Sequence, residues 1–112
     1  IGDTPANLKA SAEGENYEHS EMYPSFEKAA RDEGFDEIAD FFREVEEVEE
    51  EHEKRYLKLL ENVKAGRVFK RDEEVAWHCR NCGYIHTGKE APKECPACAH
   101  PQEYFELWCE MY

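Results

Sequence analysis

The sequence predicts a mainly α-helical protein: an antiparallel helical hairpin followed by a small β-ribbon stapled by a metal. Three observations point there. Apolar residues recur at helical spacing across residues 1–66. A Glu33-Gly34-Phe35 break interrupts them once. Two C-x-x-C pairs, Cys79-x-x-Cys82 and Cys95-x-x-Cys98, lie beyond them with twelve residues between the pairs.

The first helix is expected to start near Thr4-Pro5, where Thr4 can cap and Pro5 suits a first turn that has no use for its missing N–H. Its inward stripe runs Leu8, Ser11/Ala12, Glu15, Glu18/His19, Met22, Phe26 and Ala29/Ala30, and Gly34 stops it. Pro24 lies inside this span and removes a backbone hydrogen bond, so a kink or split is expected around Tyr23. The second helix is expected over 36–65, ended by Gly66, with the stripe Ile38, Phe41/Phe42, Val45, Val48/Glu49, His52, Tyr56, Leu59 and Val63. So short a turn between them makes an antiparallel pair. Residues 67–74 are polar apart from Val68 and Phe69 and read as a linker. Residues 75–79 and 104–108 read as short strands with the two cysteine knuckles between them. The expected domains are therefore 1–66, the helical hairpin, and 75–112, the metal domain.

Charge narrows the function. The 112 residues carry a net charge of −13. Residues 1–66 hold 19 acids and 8 bases, so most of the excess lies in the hairpin. Such a chain is a poor partner for nucleic acid, whose phosphates demand Lys and Arg. It shows no secretory signal and no apolar run of bilayer length, so no membrane and a cytoplasmic setting are expected. Four of the five cysteines stand in C-x-x-C pairs, which in an unsecreted chain read as metal ligands rather than disulfides. Cys109 is left as a packing thiol. The chain opens on Ile1-Gly2 rather than methionine, and processing, trimming or an incomplete front end is expected.

The acids of the hairpin divide into two sets. Glu46, Glu47, Glu50, Glu51 and Glu53 are expected on solvated faces. Glu49 and His52 fall on the apolar stripe of the second helix, and Glu15 and Glu18 on that of the first. A buried carboxylate is costly unless paired, protonated or bound to a cation. Glu15-x-x-Glu18 and Glu49-x-x-His52 are both i, i+3 pairs, each aiming two side chains at one spot. A carboxylate helix facing a Glu-x-x-His helix is the ligand pattern of di-iron four-helix bundles. Its oxygens and imidazole suit iron or manganese. The competing interpretation is a hairpin whose acids merely edge the apolar stripe.

The four cysteines can occupy the corners of a tetrahedron, which iron and zinc accept alike. Zinc would make the ribbon structural; iron would make it a one-electron relay. A redox cluster on the same chain needs an electron supply, which favours iron. Trp77, Tyr84, Phe105 and Trp108 are expected to form the core over the sulfurs, with His78, His86 and His100 outside the ligand set and His19 a partly exposed polar residue.

Gly14-Glu15-x-x-Glu18 with Glu21-Met22-Tyr23-Pro24, Glu49-x-x-His52-Glu53-Lys54-Arg55, Cys79-x-x-Cys82-Gly83-Tyr84 and Cys95-Pro96-x-Cys98 together resemble the rubrerythrin family over the whole chain. The resemblance implies half of a ferritin-like four-helix bundle joined to a rubredoxin-like Fe(Cys)4 β-ribbon domain. It implies a peroxidase, a component of an NADH peroxidase system, that reduces hydrogen peroxide to water. Glu15, Glu18, Glu49 and His52 would be di-iron ligands, Tyr23 the catalytic tyrosine beside the cluster, and Cys79, Cys82, Cys95 and Cys98 the ligands of one iron, which zinc can replace. The implied partners are hydrogen peroxide and an electron-donating reductase or rubredoxin. Members of the family carry a further helix pair with its own Glu and Glu-x-x-His, which this chain lacks. A homodimer or a complementary N-terminal helical fragment is expected to supply it. Ala99 stands where rubredoxins usually place glycine, at a position that tends to need φ > 0. The alternatives on residues alone are an electron carrier without a catalytic centre and a zinc-ribbon adaptor.

Overall fold

Helix α1 (Thr4–Tyr17) is capped by Asp3 rather than Thr4: the extended Asp3 accepts the Ala6 N–H at 2.9 Å, and Pro5 sits in the first turn. A cap of this kind stabilises a helix by about 1 kcal/mol. The structure is a computed structural model describing residues 1–112. Disruption near Tyr23 takes the form of a π-helical turn, Glu18–Met22, that joins α1 to α2 (Tyr23–Asp32). The Tyr23 N–H reaches back five residues to the Glu18 carbonyl, and Pro24 follows with no N–H to offer. The helical path therefore widens by one residue instead of breaking.

Helix α2 closes in a Schellman motif: the Phe35 N–H bonds the Ala30 carbonyl at 2.8 Å and the Gly34 N–H bonds Arg31 at 3.0 Å. Gly34 takes the left-handed conformation this requires, at φ +84°. Helix α3 (Asp36–Lys64) then returns along α1 and α2. Ala12, Ala30, Ala39 and Leu60 are the buried residues of the pair. Three of them are alanines, whose small side chains let the helices come close. The larger apolar residues stay open: Ile38, Phe41, Val48 and Leu59 are each nearly half exposed or more.

The chain divides into the units Ile1–Lys64 and Ala65–Tyr112. The second is a three-stranded antiparallel sheet in the order β2-β1-β3, built from β1 (Lys70–Cys79), β2 (Ile85–Glu90) and β3 (Phe105–Leu107). Strand β1 thus reaches into the segment 67–74 read as linker. Its outer end pairs Lys70 with Glu90, across an irregularity between Lys70 and Val75. The core is Trp77, Cys79, Ala91, Cys95 and Phe105, with Phe69, Val75, Tyr84 and Cys98 packed against it. The Trp77 indole N–H is satisfied by the Gly88 carbonyl at 3.0 Å. Trp108 does not join this core: it lies 5.1 Å from the His78 ring and remains more than one-third exposed.

Ala99 has φ +58°, the one non-glycine residue in the left-handed region. An L-residue with a Cβ is strained there, and glycine is not. Replacing Ala99 with glycine is expected to stabilise this unit by on the order of 1 kcal/mol, measured by denaturant unfolding of the metal-loaded protein. A destabilisation would show that the knuckle tolerates the Cβ without strain.

Candidate metal centres

The second unit makes the same knuckle twice. In the first, the Gly83 N–H bonds the Cys79 carbonyl and the Cys79 N–H bonds Tyr84, both at 2.8 Å. In the second, the Ala99 N–H bonds Cys95 and the Cys95 N–H bonds His100, again at 2.8 Å. Each loop also aims an amide at a sulfur, Tyr84 at Cys82 and His100 at Cys98. Such N–H···S bonds stabilise thiolates and tune the potential of an iron they hold.

The sulfurs of Cys79 and Cys98 lie 3.8 Å apart, and those of Cys82 and Cys95 3.7 Å apart. A tetrahedron with metal–sulfur bonds of about 2.3 Å has edges of about 3.8 Å. A disulfide would need about 2.0 Å, and all five cysteines are free. Cys79 and Cys95 are buried, Cys98 is partly buried and Cys82 is exposed. The surroundings push the Cys82 and Cys98 thiols in opposite directions. The Tyr84 amide pulls Cys82 down, but desolvation and the three other sulfurs outweigh it and push that thiol up to about 12. Desolvation pushes Cys98 up, yet the His100 amide, Asn81 and two sulfurs bring it down to about 6. Four thiolates in this space need a cation, and the donor set fits iron or zinc.

In the hairpin, Glu15, Glu49 and His52 bring their ligand atoms within 4.8 Å of one another. His52 Nδ1 lies 2.7 Å from Glu49 Oε2 and 3.5 Å from Glu15 Oε2. The two carboxylates are largely shielded, while His52 is 47% exposed. Burial raises the Glu15 pKa, as do a hydrogen bond and repulsion from Glu49; His52 opposes this and Glu18 adds to it. The cluster therefore wants a proton or a cation. Two carboxylates and an imidazole fit iron or manganese.

Two other expected residues do not join the cluster. Glu18 opens the π-turn and stays outside the group of converging ligand atoms. Tyr23 packs in an aromatic cluster, its ring 6.0 Å from both Phe26 and Phe42, with no hydrogen bond from its hydroxyl. Two glutamates depart from the solvated-face expectation. Glu53 turns into the hairpin, accepting Asn16 at 3.2 and 3.3 Å and His19 at 2.7 Å. The His19 bond is the main reason its pKa falls. Glu46 keeps Oε1 buried and unpaired, and burial pushes its pKa up, with Glu27 adding to the shift. Spacing could have found both, since 46, 49 and 53 stand at i, i+3 and i+7 on one face of α3.

A carboxylate–histidine helical hairpin and a tetrathiolate knuckle pair on one chain define a non-haem metalloprotein. The family model described as "Rubrerythrin" matches residues 1–60, and that described as "Rubrerythrin, rubredoxin-like domain" matches residues 77–106. The chain belongs to the rubrerythrin family. It is 60% identical to a rubrerythrin of Porphyromonas gingivalis over 95% of this chain and 53% of that one. It is 54% identical to a putative rubrerythrin of Methanocaldococcus jannaschii over 100% of this chain and 55% of the relative. Among solved structures, nigerythrin in a partially reduced state matches with a TM-score of 0.55 at 33% identity, covering 96% of this chain and 51% of the other. The chain spans about half the length of the curated relatives it matches. No helix is long and apolar enough to cross a membrane.

Proposed function

We propose that this chain provides a carboxylate metal site and a thiolate electron relay to a peroxide-reducing iron oxidoreductase. The observation that carries this is the convergence of the ligand atoms of Glu15, Glu49 and His52 to within 4.8 Å of one another. Glu15, Glu49 and His52 would hold iron there, and that iron would supply two electrons and Lewis acidity, so that peroxide, two electrons and two protons leave as two waters. Glu15 and Glu49 hold the cations, and His52 presents Nδ1 from the open side. Glu18, outside the converging group in this structure, would complete the set by turning inward from the π-turn. Tyr23 lends its free hydroxyl as a hydrogen-bond donor and proton carrier. The four-cysteine cage takes electrons singly from a reductase or rubredoxin and passes them on. Thiolates kept free for a metal suit a reducing compartment such as the cytoplasm.

The site as drawn is one-sided. Ile38, Phe41, Val48 and Leu59 run uncovered along α3, and His52 lies on the same stripe. An exposed apolar strip of this kind marks a surface that another element covers. A second helix pair, from another copy or from a longer chain, would cover it and bring the facing carboxylates and histidine.

The test is a single-turnover experiment. Photochemically reduced, iron-loaded protein is mixed anaerobically with hydrogen peroxide. Two electrons consumed per peroxide, with rapid return of the oxidised cage colour, support the proposal. Oxidation of the cage no faster than in a free thiolate-iron domain would leave a bare electron carrier.

A further inference from the structure

The π-turn poses a problem of register. A π-turn is intrinsically less stable than α-helix and adds one residue to the helical path. Were it to relax to α-helix while α2 stayed packed, everything before it would rotate by about 100° about the helix axis. Glu15 would then swing away from Glu49 and His52.

One carboxylate ties a residue just ahead of the turn to one inside it. Asn16, just before it, offers its Nδ2 to Glu53 Oε1 at 3.2 Å and Oε2 at 3.3 Å. His19, inside it, meets Oε2 at 2.7 Å. Ser20 adds a local tie, its hydroxyl donating to the Asn16 carbonyl. The His19 and Glu53 side chains are only 18% and 20% exposed, so their bond is shielded from the screening that weakens surface pairs. Glu53 follows His52 directly and stands one turn after Glu49.

We propose that Asn16, His19 and Glu53 form a clamp that holds the π-turn and so sets Glu15 opposite Glu49 and His52. His19 and Glu53 are positioning residues in this account, which rests on the cation-binding role given to that site above. Loss of partners that orient metal ligands costs about 10- to 100-fold in metal affinity.

The probe is manganous ion, titrated by EPR into the 112-residue chain with its cysteine cage already filled with iron. His19→Ala and Glu53→Ala are expected to weaken manganese binding at least about tenfold. They should also speed amide exchange across residues 18–23. Glu53→Gln keeps an acceptor for His19 and should retain most of both properties. Unchanged affinity in the alanine variants overturns the clamp. So does an equal loss in Glu53→Gln, which would make the negative charge, and not the geometry, the operative feature. Wild-type protein that takes up no manganese refutes the metal site itself, and the clamp with it.

Discussion

Replacing Glu49 with alanine is expected to abolish cation binding in the hairpin and peroxide turnover, while the visible bands of thiolate-bound iron persist. Glu49 is the hub of the cluster: it lies 2.7 Å from His52 Nδ1 and hydrogen-bonds Glu15. As a direct ligand in the proposed site, it should cost more than the about 10- to 100-fold typical of outer partners. The fold should not suffer. Glu15 has a raised pKa because of burial first and Glu49 next. A raised carboxylate pKa means that the folded state holds its proton more tightly than the unfolded one. The stability it confers is complete below the unfolded value and is lost as pH rises through the folded one. The metal-free hairpin should therefore weaken as pH climbs through that range, and Glu49→Ala should flatten the fall. Thermal melts of metal-free protein across mild acid to neutral pH measure this. If turnover survived in Glu49→Ala, the metal assignment in the hairpin would be wrong.

Replacing Cys95 with alanine is expected to unfold the second unit and leave the helices intact. Cys79 and Cys95 are two of the five core residues, beside Trp77, Ala91 and Phe105. A unit the size of Ala65–Tyr112 buries too little apolar surface to be secure alone. A structural metal contributes on the order of 10 kcal/mol in comparable thiolate sites. Losing one ligand of four should remove most of that. The buried Trp77 reports the outcome through its fluorescence, and far-UV circular dichroism reports the helices. A native Trp77 signal in the metal-free variant would show that the sheet stands without its staple.

The parts of this molecule that were legible in the sequence are those with a local cause. Gly34 ends a helix because the Schellman closure needs a left-handed residue at that point. The C-x-x-C pairs bring sulfurs together because each knuckle is closed by its own backbone bonds. The positive φ at Ala99 could be anticipated from its place in the second knuckle. What stayed hidden depends on partners remote in sequence. Strand β2 is Ile-His-Thr-Gly-Lys-Glu, with one large apolar residue, and is a strand because β1 pairs with it. The outer part of β1 was hidden for the same reason. Pro24 announced a disturbance, but a π-turn rather than a break follows from α2 and α1 both packing on α3. Within the site, Glu15, Glu49 and His52 were readable from the apolar stripes they interrupt. Glu53 and Glu46 were masked by the glutamate run around them, in which shared-face spacing is diluted by exposed neighbours. Trp108 looked like core by its chemistry, yet the sheet is already filled by Trp77 and Phe105.

The most direct test of the central claim, that the inward acids of the hairpin grip cations, is iron stoichiometry with Mössbauer spectroscopy on protein loaded anaerobically. Iron clearly in excess of one per chain is expected, in two populations, one with the signature of a tetrathiolate and one with that of oxygen and nitrogen ligands. A single iron per chain, all of it bound by sulfur, would contradict it.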